Sequence, residues 1–190
     1  YSIDRRSKDN PMIYIPPSVF SPQKGVSIEI PRGFYLGQKL VTQAQFARVA
    51  KYNPSYFSGP QHPVECLRYL DALLFCNLLS QIEGYERVYE IPSNVSFGCS
   101  VGYECVKIDE DANGYRLPTE AHWLRCASAG TLGPEQLWYR SNSAQKTHPV
   151  ASKNPNSIGF YDLFGNVWEW CSDPYLMPSR PARVIRGGCW

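Results

Sequence analysis

Sixteen prolines and fourteen glycines cut this 190-residue chain into short pieces. Proline removes a backbone donor and fixes φ, and glycine loosens the backbone, so much of the chain has to be turn and loop. Between these breaks, three helical patterns survive. Thr42 with Gln45 three residues on is a capping box, and Phe46, Val49 and Ala50 follow as an apolar stripe ended by Asn53-Pro54. In the second, Leu70, Leu73, Leu74, Asn77, Leu78 and Ile82 recur at helical spacing before Gly84. So apolar a helix is expected to lie across a sheet. The third is LPTEAHWLRCASAG, with Thr119 as N-cap, Glu120 on the helix dipole and Gly130 as the stop.

Strand composition appears in MIYIPPSVF, VSIEI and GFYLGQKL, and more weakly in VYEI and ECVKI. Tyr1 to Asn10 is polar and reads as a flexible arm, leaving 11–190 as a single α+β domain. Nineteen basic residues face 17 acidic ones without a basic run, so no nucleic-acid partner is expected. No apolar run approaches the ~18–20 residues of a spanning helix, so direct membrane insertion is not expected either. The chain starts at Tyr1, which leaves the question of a leader open.

Seven cysteines show neither CxxC pairs nor Cys/His finger spacing, which argues against zinc. Cys76 and Cys126 read as inert core thiols, and Cys99 and Cys105 flank a glycine-rich stretch where they could pair. His62, His122 and His148 read as loop or surface residues, with His122 at an exposed helix position. In GNVWEW, alternation sends Trp168 and Trp170 to one face and Val167 and Glu169 to the other, so both indoles are expected in the core. Glu169 between them needs a partner: a cation such as Arg116 or Arg186, or calcium. Arg116 itself is expected to be a structural pairing residue.

GYRLPTEAHWLRCASAG (114–130), NPNSIGFYDLFGNVWEWCSD (154–173) and RVIRGGCW (183–190) occur in the order and spacing of the formylglycine-generating enzymes, or sulfatase-modifying factors. GQKLVTQAQF and HPVECLRYLDALLFCNLLS are similar to two earlier landmarks of that family. The resemblance implies an α+β, C-type-lectin-like fold of short strands, two to three helices and long loops, with closing strands expected after the RGG motif. It also implies a structural calcium held by Asp162, Gly165, Val167 and Glu169. A second family calcium site is not carried over, because the loop after the third helix lacks an acidic pair.

No catalytic residue is expected in this chain. The copper-binding cysteines of the aerobic enzymes lie downstream of RGG, and Cys189 stands where RGGSW has serine, so copper is not expected here. The reading that follows is a non-catalytic domain binding a protein or surface ligand. One branch of the family serves as retroelement-diversified variable proteins, for which an extracellular or cell-surface setting is expected. Tyr139, Tyr161, Tyr175 and the tryptophans are its candidate contact residues. The alternative is a formylglycine-generating oxidase whose copper-binding cysteines lie beyond Trp190.

Overall fold

The computed structural model describes residues 10–99, 106–130, 133–177 and 181–190. The arm at 1–9, and with it most of the expected boundary at residue 10, lies outside them, as does Cys105 and hence its pairing with Cys99. Among the described residues, every ladder is an antiparallel pair of short strands. β1 (Met12–Ile15) pairs with β4 (Phe34–Gly37), and β2 (Ser18–Phe20) with β3 (Ile28–Ile30). β5 (Tyr89–Glu90) pairs with β6 (Lys107–Ile108), and β7 (Glu169–Tyr175) with β8 (Ala182–Arg186). Pro16 and Pro17 separate β1 from β2, as proline does at strand ends. The β7–β8 register slips between Trp170 and Pro174, next to a residue with no N–H to give the ladder.

Helix α1 (Gln43–Ala50) carries the expected capping box: Thr42 Oγ1 accepts from Gln45 N–H, and Gln45 Oε1 accepts from Thr42 N–H at 2.8 Å. It ends before Asn53-Pro54, because Lys51 turns left-handed at φ 63°. Helix α3 (Glu120–Ala127) starts on Thr119 as expected and closes before Gly130.

Helix α2 (Tyr69–Ile82) does not lie across a sheet. It packs on α1, where Phe46 and Phe75 stack at 5.2 Å, and on the short strand β5. Its exposed end explains one difference from the periodic pattern: Ile82 is 65% exposed. Asn77, counted in the apolar stripe, is buried for its hydrogen bonds instead. Its Oδ1 accepts from the Val88 and Tyr89 N–H groups, and its Nδ2 donates to the Tyr89 carbonyl at 2.7 Å.

Among the described residues, three packed clusters fill the interior. One joins α3 to Ile15, Phe160, Leu163, Cys171 and Val184. Another joins α2 to Val88, Tyr89 and Ala112, and the third holds Phe46, Val49 and Phe75. Cys76 and Cys126 are core residues as expected, and burial pushes both thiols up to about 12.

Candidate functional site

The loop 161–168 enters β7 by an irregular path. Asp162 and Asn166 hold φ near +55° and +61°, and Gly165 holds +86°. Such left-handed positions rotate successive peptide groups out of any ladder, so carbonyls become free to face one point. Three contacts fix the loop. Gly165 N–H donates to the Gly187 carbonyl at 2.8 Å, and Asn166 N–H donates to the Trp138 carbonyl at 2.9 Å. Asn166, fully enclosed, also clasps His148, accepting from its N–H and donating to its carbonyl. Glycine is required at 165 because an added Cβ would collide with the Trp138 carbonyl.

Gly187, at φ +97°, faces this loop from the RGG segment. A Cβ there would stand 3.2 Å from the Leu163 carbonyl, 3.5 Å from the Val167 carbonyl and 3.6 Å from Glu169 Oε1. Three oxygens therefore converge where glycine leaves space. Two are expected positions; the Leu163 carbonyl was not legible, because a leucine in a sequence advertises its side chain.

Glu169 lies in a half-buried strand position, but its carboxyl is enclosed. Burial raises its pKa to about 8; the Trp123 indole N–H, donating at 3.0 Å, opposes the rise, and the charge of Asp162 adds to it. The Asp162 carboxyl is also raised by burial, against hydrogen bonds from Ala151 N–H and the Asn166 amide. The two cations considered for Glu169 are engaged elsewhere. Arg186 pairs with Glu120, and Arg116 pairs with Glu110 while donating to the Ala112 carbonyl, the structural role expected of it. Among the described residues no three His, Cys, Asp or Glu side chains gather. A metal here would rest on two carboxylates and backbone carbonyls, a hard-oxygen set suited to calcium and not to softer ions.

The tryptophans separate. Trp170 falls short of the full burial expected: it is half-buried at the edge of the α2 cluster, where it packs edge-on against Tyr69 at 5.5 Å and donates to the Leu67 carbonyl, and it lines the same groove as Trp168. Trp168 does not join it: it is 53% exposed. It lines a mostly apolar groove of about 570 Å³, together with Leu36, Val41, Phe46, Ile185 and Trp190. That is the size of a small-ligand site. Tyr139 and Tyr175 are exposed, and Tyr161 lines the same groove half-buried.

His122 also departs from expectation. It is half-buried and stacks on Phe34 at 4.0 Å, and burial lowers its pKa. His62 and His148 are half-buried in loops: His62 bonds Thr147 Oγ1, and His148 stacks on Trp138 at 3.7 Å.

A profile of the sulfatase-modifying factor enzyme 1-like domain matches residues 5–190. The chain belongs to the sulfatase-modifying factor family. Its α+β, C-type-lectin-like fold agrees with that of solved relatives. It superposes on Treponema denticola variable protein 1 with a TM-score of 0.84 at 28% identity, covering 95% of this chain and 84% of that one. It is 34% identical to the chaperone protein LppX of Paenibacillus barcinonensis, over 83% of this chain and 69% of the relative. It is 35% identical to the formylglycine-generating enzyme of Streptomyces coelicolor, over 40% of this chain and 36% of that enzyme. The family member described here thus spans about two thirds of the first of these two relatives and aligns with about a third of the second.

Proposed function

We propose that this domain binds a protein or surface ligand at the aromatic mouth of the groove and performs no chemistry on it. The observation that carries this is Trp168. An indole in the middle of a family motif stands half out of the surface and lines a groove together with Trp190 and Ile185. Exposed indoles over an apolar groove give large rigid contacts at small entropic cost. Loops on a packed scaffold are where such contacts sit. Similarity to Treponema denticola variable protein 1 supports the finer reading, a retroelement-diversified variable protein with contacts near the RGG segment.

A calcium ion held by Asp162, Gly165, Val167 and Glu169, with the Leu163 carbonyl beside them, is the structural half of this proposal. The converging oxygens and the two enclosed carboxyls support it. The ion would neutralise both carboxylates and tie the 162–169 loop to the RGG segment.

The test is the labelled domain on arrays of peptides and glycans, with Trp168→Ala alongside. Loss of at least ~10-fold in affinity at an unchanged melting temperature is expected, about 1.4 kcal/mol of contact. Equal binding by both proteins refutes the assignment to the groove mouth. The rival oxidase reading, which needs copper-binding cysteines beyond Trp190, is tested by incubating the copper-loaded natural full-length protein with a Cys-x-Pro-x-Arg peptide under air: an aldehyde product would overturn the non-catalytic reading.

A further inference from the structure

Two loops meet at the ring of His62. The backbone of His62 is fixed: its N–H donates to the Gly59 carbonyl at 3.0 Å, and its carbonyl accepts from Gln43 N–H, at the start of α1, at 2.9 Å. Its ring packs over Gly59, where an added Cβ would stand 2.5 Å from the ring. Ring Nδ1 lies 2.9 Å from Thr147 Oγ1, across 85 positions of sequence. Thr147 is fully buried, so this bond is made away from water.

The segment that carries Thr147 is bound largely to itself. Asn142 N–H and Ser143 N–H both donate to the Tyr139 carbonyl, Lys146 N–H donates to the Ser143 carbonyl, and His148 Nε2 lies 2.8 Å from that same carbonyl. Ala144 and Gln145 at its tip are left-handed, φ 52° and 56°, a conformation that strains residues bearing a Cβ. Ser143 Oγ is enclosed without a partner among the described residues. The segment is anchored at both ends, where Asn166 holds the Trp138 carbonyl and clasps His148. Among the described residues, its hydrogen bonds to the loop around His62 are Val150 N–H on the Gln61 carbonyl and the His62–Thr147 bond. The 140–147 turn is therefore a strained flap with one side-chain latch.

The charged groups that act on the His62 ring are His148 and Lys146, both from the opposite segment. Its own loop presents Gly59 and α1 presents Gln43, and neither is charged. Burial first, then these two neighbours, lower the His62 pKa.

We infer that His62 is an acid-operated latch: proton uptake on its ring releases Thr147 and lets the 140–147 turn lift while the rest of the domain stays folded. A ring freed from the latch takes up a proton near the ordinary histidine value of about 6.5, and the latched ring does so below it. The closed form is thus fully favoured above that value and loses ground as the pH falls from there towards the latched value. Release also relaxes the left-handed tip. The lifted turn carries Arg140 and Lys146 beside the exposed Tyr139, so acid reshapes that surface, and none of these residues lines the groove.

The experiment is hydrogen–deuterium exchange read by mass spectrometry at about pH 7.5 and about pH 5, each corrected for the intrinsic pH dependence of exchange. Protection of peptides from 140–147 is expected to fall by ~3-fold or more in acid, with peptides from α3 unchanged. His62→Asn, whose amide can still bond Thr147 and does not titrate, is expected to keep equal protection at both pH values. Thr147→Val, which keeps the shape and removes the hydroxyl, is expected to loosen the turn already at the higher pH. Equal protection of the parent at both pH values, an acid loss that survives in His62→Asn, or a Thr147→Val turn as protected as the parent's at the higher pH overturns the inference. If the variants fold poorly, the parent decides: the midpoint of turn opening has to coincide with the His62 ring titration followed by NMR, and two separate midpoints overturn the latch.

Discussion

Asn77→Leu tests whether polar clamps or apolar packing hold this fold. By helical periodicity position 77 belongs to an apolar stripe, and on that reading leucine is neutral or stabilising. The structure gives the opposite sign. Asn77 Oδ1 accepts from Val88 N–H and Tyr89 N–H, each at 3.1 Å, and Nδ2 donates to the Tyr89 carbonyl. Asn77, Val88 and Tyr89 are all buried, so water does not replace the lost partner. Three hydrogen bonds at a net ~1 kcal/mol each give about 3 kcal/mol, and stranding enclosed backbone groups raises the expected cost to ~3–5 kcal/mol. Against a typical domain stability of ~5–15 kcal/mol this is a large fraction. Equilibrium unfolding in guanidinium chloride measures it, with Ile82→Ala at the exposed end of the same helix expected to change stability by under ~0.5 kcal/mol. If Asn77→Leu unfolds at or above the parent midpoint, the clamp argument is wrong and the side chain is filler.

Three further outcomes are expected. Calcium should raise the melting temperature of the parent and not of Glu169→Ala; an equal rise in both, or none in the parent, refutes the site. Burial lowers the His122 pKa, so the unfolded chain takes up this proton first as the pH falls. Its contribution is intact above the free-histidine value of about 6.5 and is lost as the pH drops from there towards the folded value. His122→Phe, which keeps an aromatic ring against Phe34, should flatten that part of the stability–pH curve, and an unchanged slope would clear His122 of the effect. Trp170→Ala should cost ~2 kcal/mol, from lost packing on Tyr69 and the unmade bond to the Leu67 carbonyl, whereas Trp168→Ala should leave unfolding almost unchanged; equal losses would refute the difference in packing.

Local rules were legible wherever a side chain acts on its own backbone neighbours. Thr42, Gln45 and Thr119 announced their helices, and paired prolines marked the β1–β2 break. Features set by what crosses from elsewhere were not legible. Alternation puts Trp168 and Trp170 on one side, but Trp170 meets Tyr69 of α2 and the Leu67 carbonyl and is half-buried, whereas Trp168 is exposed. Glu120 takes Arg186 away from Glu169 across elements 66 positions apart in numbering (186 − 120), which spacing does not reveal. The candidate calcium positions were read from resemblance, and the structure brings Val167 and Glu169 together. The Leu163 carbonyl that joins them is backbone and carries no letter in the sequence.

Among the described residues the ladders are two strands wide, and the interior loops are wired by amide side chains instead. Gln43 reaches the carbonyls of Phe57 and Pro63, Asn156 reaches Cys126 and Phe160, and Asn166 reaches His148. A wide sheet shares its order among many interchangeable rungs, so an error at one rung is diluted. Here a few enclosed amide side chains each carry several of the bonds that hold a loop. The outer surface is thereby uncoupled from the wiring: sequence can drift or be rewritten around the groove at little structural cost, while Gln43, Asn77, Asn156 and Asn166 have no substitute that reproduces their donors and acceptors. Such a molecule is evolvable at its rim and brittle at four buried points.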